Sequence, residues 1–66
     1  MAKEVRLKER QPLMFRGQPT WYDAGDVFEV VEEKEFKVVG KCYKLKYAGC
    51  TFDGWQVAKN FEVTLN

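Results

Sequence analysis

The sequence predicts a single small all-β domain, a barrel of five short strands, and three observations favour this fold class. Charged and apolar residues alternate in short stretches, which is the two-residue period of a half-buried strand. Glycines and prolines divide these stretches into runs of strand length. One run, residues 36–47, changes its apolar face at Gly40, where a bulge or bend would let a small sheet fold over itself.

The composition fits one folded domain that spans residues 1–66. Hydrophobic residues make up 45% of the chain and aromatic residues 15%. These aromatic side chains are enough for a compact core, because each can bury about 150–250 Å². A chain of this size buries only about 60% of the surface that its unfolded form exposes, so we expect a thin margin of stability.

The first predicted element is an edge strand in residues 3–9 (KEVRLKE). Val5 and Leu7 share one face of it, and the charged residues face water. A helix is the alternative, because several of these residues favour helices. Two apolar residues that are two positions apart fit a strand better. A free edge at this strand would also permit a weak homodimer, so we expect a monomer or a weak homodimer.

Residues 10–26 predict a long irregular first loop. Pro12 and Pro19 restrict the residues before them, and Gly17 and Gly25 mark two turns. The apolar residues between these positions favour a loop that folds back against the barrel. A loop of this length exceeds the usual connection in a compact domain, and such loops are often functional.

The remaining elements are predicted in this order: a strand at 27–33, a solvated turn at 32–35, the bent strand at 36–47, a short strand at 55–57, a helical turn at 58–60 and a last strand at 61–65. Two glycine turns lie within this part of the chain. Ala48-Gly49 can reverse the chain, and Asp53-Gly54 is a strong two-residue hairpin signal. Too few residues separate them for both to flank a full strand, so one of them belongs to a wider loop.

Charge, cysteine content and hydropathy narrow the functional classes. The net charge of +1 differs from the strongly basic footprint of proteins that bind nucleic acid mainly through charge. Cys42 and Cys50 form no C-x-x-C pair, and the chain has no histidine, so we expect no metal and no cofactor. We expect both cysteines to be reduced, in a cytoplasmic protein. The short apolar runs predict neither a signal peptide nor a membrane span.

The most specific local pattern is residues 54–63, GWQVAKNFEV. It resembles the end of SH3 domains, where a glycine-aromatic pair leads into a short 3-10 turn and then Asn-Tyr-Val. Here one extra residue precedes the turn, Ala58 replaces the usual proline, and Phe61 stands for the tyrosine. Residues 25–31 (GDVFEVV), together with the closing Phe-Glu-Val, are similar to small SH3-like proteins of phages and prophages.

The resemblance implies a five-stranded SH3-like barrel with a long first loop and a 3-10 turn before the last strand. Its motifs are core and turn positions, so it concerns the fold and not the activity. Signalling SH3 domains carry an Ala-Leu-Tyr-Asp-Tyr motif near the start and a Trp-Trp pair in the third strand. This sequence has neither, so the resemblance does not imply binding of proline-rich peptides.

An enzyme is not expected. The chain has no histidine for general acid–base catalysis, no serine and no glycine loop that would hold phosphate. Cys50 has no base partner in the sequence pattern. Asp23 and Asp26 lie on either side of Gly25 and could be a metal or catalytic pair. Aspartates at such turns commonly bond their own backbone, and we favour that interpretation.

Binding of a protein partner is the favoured function, and it depends on the 10–26 segment. The candidate partner-binding residues are Phe15, Arg16, Trp21 and Tyr22. Aromatic residues and arginine are enriched at interfaces and at their hot spots. The alternative is that the loop caps one end of the barrel and hides these side chains. The sequence does not name the partner, and a host enzyme or regulator would fit a phage-type protein.

Nucleic-acid binding is the second hypothesis. Its candidate residues are Arg6, Lys8, Lys44 and Lys46. Single-stranded nucleic acid would also need aromatic side chains on the same surface, on which bases stack. The alternation predicts that Tyr43 and Tyr47 point away from Lys44 and Lys46 and pack in the core.

Overall fold

The computed structural model describes residues 3–65, which form an all-β fold with one short 3-10 helix and no α-helix in that range. The strands are β1 Lys3–Leu7, β2 Gln11–Phe15, β3 Gln18–Tyr22, β4 Val27–Phe36, β5 Gly40–Tyr47, β6 Cys50–Thr51, β7 Gln56–Val57 and β8 Phe61–Leu65. The 3-10 helix, Ala58–Asn60, directly precedes β8, as predicted. Within this range no helix is long and apolar enough to cross a membrane.

The strands form two sheets. The larger has six strands in the order β6-β5-β4-β1-β8, and β7 also pairs with β5. All its pairs are antiparallel. The smaller sheet is the β2–β3 hairpin. The all-β class is therefore confirmed, but β6 and β8 at the two ends of the larger sheet do not pair, so the sheets are not closed into a barrel.

The N-terminal strand has the predicted buried face but not the predicted position. Val5 and Leu7 are both buried. However, β1 lies between β4 and β8, and Val5 pairs with Phe28 on one side and with Val63 on the other. The prediction of an edge strand was wrong, and β1 therefore offers no free edge to a second copy of the chain. Alternation shows which face of a strand is buried, but it does not show how many strands flank it.

The predicted long loop is instead mostly a hairpin. Residues 11–15 and 18–22 pair in register around a two-residue turn, Arg16-Gly17. The φ angles of Arg16 and Gly17 are 51° and 80°, and two successive positive values are typical of a type I′ hairpin turn. This turn matches the right-handed twist of the flanking strands, so it holds the two segments together despite their prolines.

The predicted turn at 32–35 and the bent strand at 36–47 were also wrong. β4 continues to Phe36, the chain turns at 37–39, and Gly40 begins β5. Two of the three glutamates in 32–35 lie opposite lysines of β5, Glu32 opposite Lys44 and Glu35 opposite Lys41. Opposite charges that face each other stabilise the ladder, so this charged stretch is a strand. In the β4–β5 ladder the register shifts between Val30 and Glu32 of β4, and not at Gly40 as predicted.

The core is an aromatic and aliphatic cluster between the two sheets. Phe28 lies at its centre, with ring centroids 4.9–6.0 Å from four other aromatic rings. The buried members are Val5, Leu7, Leu13, Phe28, Tyr43, Leu45, Phe52 and Phe61. Tyr47 packs against this cluster, so Tyr43 and Tyr47 both face inward, as the alternation predicts.

The predicted turn at Ala48-Gly49 is confirmed, and it suggests a stabilising substitution. Tyr47 pairs with Cys50 around it, and the φ angles of Ala48 and Gly49 are 51° and 82°.

The side chain of Ala48 is sterically unfavourable in this left-handed region, whereas asparagine tolerates it and Asn-Gly is the preferred type I′ pair. We expect Ala48→Asn to raise the free energy of unfolding by about 0.5–1 kcal/mol in urea denaturation. Ala24→Asn, in an exposed turn without positive φ, is the control, and equal gains in both variants would contradict the explanation.

Candidate binding surface

The β2–β3 hairpin has one apolar face that packs on the core and one that is exposed. Leu13, Phe15 and Tyr22 pack on the core. The opposite side chains are Pro12, Met14, Pro19 and Trp21, which we call the hairpin face. All four are exposed, and Met14 and Trp21 retain 52% and 57% of their accessible surface.

The four residues form two cross-strand pairs, Pro12 with Trp21 and Met14 with Pro19. In a hairpin with a two-residue turn, the pair that flanks the turn, here Phe15 and Gln18, is hydrogen-bonded, and the pairs then alternate. Both pairs of the hairpin face are therefore non-hydrogen-bonded. Side chains lie closer together in such pairs than in hydrogen-bonded ones, so the hairpin face is a continuous apolar strip.

The two prolines also block the edges of the hairpin. At a non-hydrogen-bonded position the backbone N–H points away from the partner strand, towards the outer edge. Proline has no N–H, so Pro12 removes this donor from the edge of β2 and Pro19 removes it from the edge of β3. A proline at an edge opposes the addition of another strand. The two prolines therefore protect the edges of the hairpin, whereas its outer side-chain face stays exposed.

Arg10 extends the hairpin face at its base. Its guanidinium lies 4.7 Å from the centre of the Trp21 ring, and its Nε donates a hydrogen bond to Asp23 Oδ1 at 3.1 Å. The backbone N–H of Asp23 donates in turn to Asp26 Oδ2 at 2.9 Å. The backbone N–H of Gly25 donates to the carbonyl of Leu7 at 2.8 Å, which ties this turn to β1.

The same contacts explain the roles of Asp23 and Asp26, which lie on either side of Gly25. Asp26 bonds the backbone of its own turn, which is the interpretation that the sequence favours. In residues 3–65 no group of three or more cysteine, aspartate or glutamate side chains is arranged to hold a metal ion. The same range contains no pocket.

The structure divides the four predicted partner-binding residues between the two faces. Trp21 is exposed, and Arg16 is exposed at the turn with its guanidinium 5.3 Å from the Phe15 ring. The rings of Phe15 and Phe52 are 5.1 Å apart, and those of Tyr22 and Tyr47 are 5.2 Å apart. Burial, followed by the neighbouring Tyr47, raises the pKa of Tyr22 above its ordinary value of 10.0. Phe15 and Tyr22 thus support the surface from beneath.

The sequence-based prediction missed the two prolines and left Met14 out of the site. Prolines interrupt most strands, so they indicated a loop. A signal was nevertheless present, because Arg16-Gly17 separates two runs of equal length and similar pattern, QPLMF and QPTWY. Each run has proline at its second position and an aromatic residue at its fifth, which is the symmetry of a hairpin.

Three of the four predicted nucleic-acid-binding residues face carboxylates. Arg6 pairs with Glu62 at 3.0 Å, Lys44 lies 4.0 Å from Glu32, and Lys46 is the cross-strand partner of Glu29. The hydrogen bond from Arg6, with its charge, lowers the pKa of Glu62 below the ordinary 4.5. Lys8 is exposed beyond the end of β1. The outer face of the larger sheet therefore carries alternating charges of both signs.

Two aromatic residues lie beside the lysines of this outer face. The rings of Phe36 and Trp55 are 5.7 Å apart and both are half-buried. The ammonium of Lys34 lies 5.3 Å from the Phe36 ring, and that of Lys44 lies 5.7 Å from the Trp55 ring. The sequence-based prediction considered only the two tyrosines of β5 as stacking residues. Trp55 was missed because it follows the Asp53-Gly54 turn, and its neighbours depend on the width of that loop.

Comparisons of this chain with protein-family models, with curated proteins and with solved structures gave no match. The resemblance to SH3-like proteins therefore depends on the residues alone.

Proposed function

We propose that this chain is a small non-enzymatic binding module that binds a protein partner through the hairpin face. The observation that carries this proposal is the exposure of Trp21 and Met14, between two prolines, on one face of a two-stranded sheet. Contiguous exposed apolar surface marks interaction sites in small proteins. Aromatic residues, methionine and arginine are enriched at interfaces, and tryptophan and arginine at their hot spots.

The inner face of the hairpin supports this function by holding the surface rigid. Leu13 is buried, and Phe15 and Tyr22 pack edge-on against aromatic rings of the core. The turn at Arg16-Gly17 and the contact between Arg10 and Trp21 restrain the two ends of the same surface. A surface that is ordered before binding loses less conformational entropy when its partner arrives, so more of the contact energy remains as affinity.

We also propose that the fold is of the SH3-like type found in small phage and prophage proteins, and that the module acts in the cytoplasm on a host protein. The position of the 3-10 helix directly before the last strand supports this relationship. The hairpin would then replace the long first loop of the SH3-like arrangement. A fold-level likeness does not by itself assign a function, so the binding proposal depends on the hairpin face.

Trp21→Ala tests the proposed function. The full chain, immobilised, captures proteins from a lysate of the source cells, and the affinity of the captured protein is then measured in purified form. We expect Trp21→Ala to weaken this affinity about 30-fold or more, because hot-spot tryptophans contribute about 2 kcal/mol or more. The free energy of unfolding should change by less than about 0.5 kcal/mol, since the side chain is exposed.

Val38→Ala is the matched control. Val38 is 95% exposed on the β4–β5 turn and is not part of the hairpin face. We expect this variant to keep the affinity of the unmodified chain. A captured partner that binds Trp21→Ala and the unmodified chain equally would contradict the assignment of the site. Unfolding of the Trp21→Ala variant would show instead that Trp21 is structural.

Nucleic-acid binding through Arg6, Lys8, Lys44 and Lys46 is the second candidate function. The observation in its favour is that Trp55 and Phe36 lie beside lysines on one surface, since bases stack on aromatic rings. Filter binding of single-stranded DNA between about 50 and 200 mM salt tests it, because phosphate contacts make affinity fall steeply with salt. Absence of binding at the lower concentration would exclude this function.

A further inference from the structure

The hairpin and the residue before it carry positive charge and no negative charge. Residues 10–22 contain two arginines and neither aspartate nor glutamate. Arg10 lies at the base of the hairpin and Arg16 at its turn. Interfaces match charges of opposite sign, because like charges that face each other across the contact repel. A partner surface with a carboxylate at each end therefore fits the two arginines, and at the Arg10 end it meets the terminal nitrogens that Asp23 leaves free.

Arg10 is held in a position from which it can bind a carboxylate. Its Nε is occupied by Asp23, and its guanidinium is stacked on Trp21. Within residues 3–65 the two terminal nitrogens of Arg10 donate no hydrogen bond, and the side chain is 62% exposed. These nitrogens present parallel N–H groups that match the two oxygens of a carboxylate. The stacking on Trp21 and the hydrogen bond to Asp23 reduce the conformational entropy that the Arg10 side chain would lose on binding.

The spacing of the two arginines defines the length of the partner segment. Six positions separate Arg10 from Arg16, which flank β2, and a strand rises about 3.3 Å per residue, so their Cα atoms lie about 20 Å apart. Met14 and Trp21 lie on the hairpin face between these two ends, and the Arg16 guanidinium lies beside the Phe15 ring at the turn. An extended segment of about six residues spans this distance.

We propose that the partner binds as an extended acidic segment of a protein, laid lengthwise on the hairpin face. One carboxylate accepts hydrogen bonds from the terminal nitrogens of Arg10, apolar side chains contact Trp21 and Met14, and a second carboxylate lies near Arg16. This inference rests on the proposed function, since it specifies the partner of the same surface.

The surface is less suited to the other classes of occupant. A membrane would require apolar residues at the tip, but the turn between the strands is Arg16-Gly17 and the apolar residues lie along the flat face. A nucleic acid would require many cationic contacts, whereas the hairpin offers two and Asp23 compensates one of them. Addition of a strand is opposed by Pro12 and Pro19 at the edges.

Selection from a random peptide library displayed on yeast tests this inference. The bait is the immobilised full chain, and peptides that also bind the Trp21→Ala variant are removed. We expect the enriched peptides to carry carboxylates about six residues apart with apolar residues between them. Binding of a purified enriched peptide should weaken about tenfold in Arg10→Gln and in Arg16→Gln, as expected for loss of a charged hydrogen bond. Lys37→Gln, on the exposed β4–β5 turn, is the matched control and should bind normally.

The outcomes separate this inference from the proposed function. Enriched peptides that need Trp21 but contain no carboxylates, or that bind both arginine variants normally, would overturn the acidic segment and leave the hairpin face as the binding surface. If no peptide distinguishes the unmodified chain from Trp21→Ala, the acidic segment is overturned, and the lysate experiment decides the hairpin face separately. Tighter Arg10-dependent binding to phosphatidylserine vesicles or single-stranded DNA than to any peptide would also overturn the inference.

Discussion

Replacing Phe28 by alanine is expected to remove most of the stability of the fold. Phe28 is 1% exposed, and its ring is 4.9 Å from Tyr47, 5.4 Å from Tyr22 and 5.7 Å from Phe61. Truncation of a buried phenylalanine to alanine costs about 3–5 kcal/mol, because apolar surface is lost and a cavity remains. A chain of 66 residues has a total stability of about 3–10 kcal/mol. The destabilisation by Phe28→Ala is therefore comparable to the whole free energy of unfolding.

Urea denaturation followed by far-ultraviolet circular dichroism measures this effect. Phe28→Leu keeps an apolar side chain at the site and should cost less than the alanine variant, although the lost ring contacts still lower the midpoint. Val27→Ala changes the adjacent residue, which is exposed, and should shift the midpoint little. A Phe28→Ala variant with the same midpoint as the unmodified chain would show that Phe28 is not central to the core.

Tyr22→Ala is expected to destabilise the fold by about 2 kcal/mol, whereas Trp21→Ala should cost less than about 0.5 kcal/mol. The two residues are neighbours in β3 but point to opposite faces. The Tyr22 ring packs within 5.9 Å of three rings of the core, those of Phe28, Tyr47 and Phe52. The exposed Trp21 ring contacts Arg10 instead.

These two variants distinguish a residue that supports the hairpin face from beneath from a residue that is exposed for binding. In urea denaturation Tyr22→Ala should lower the midpoint and Trp21→Ala should not. Tyr22→Phe is the control, because it keeps the packed ring and removes only the hydroxyl. Equal destabilisation by Tyr22→Ala and Trp21→Ala would mean that the tryptophan contributes to the core, and the hairpin face would lose its principal residue.

Much of the local structure could be predicted because it depends on near neighbours. The buried face of β1 follows from the alternation of Val5 and Leu7 with charged residues. The turn at Ala48-Gly49 and the 3-10 helix before β8 follow from short patterns of residues. These features need no knowledge of distant contacts, since a two-residue period and a glycine turn are properties of the local chain.

The errors occurred where distant pairing decides the structure. The acidic stretch at 32–35 resembles a solvated turn until the lysines of β5 are placed opposite it. β1 resembles an edge strand until β8, from the other end of the chain, pairs with it. In both cases the local signal is weak, and the free energy of the cross-strand contacts selects the observed state.

In the candidate site, too, local features could be predicted and features that depend on strand pairing could not. Among Phe15, Arg16, Trp21 and Tyr22, the sequence located the segment that carries the exposed aromatic surface. It did not separate exposed from packed members, because the segment was interpreted as an irregular loop. Once the segment is a hairpin, the two-residue period places Trp21 outward and Tyr22 inward.

The sequence by itself determined the all-β class, the apolar faces of the strands and the region with exposed aromatic and basic residues. These depend on composition and alternation, which are local. Only the tertiary structure decided that residues 11–22 form a hairpin whose prolines lie at non-hydrogen-bonded positions, and that Arg10 stacks on Trp21. The physical reason is that register and stacking depend on which distant backbone groups pair, and the order of residues along the chain does not specify that pairing locally.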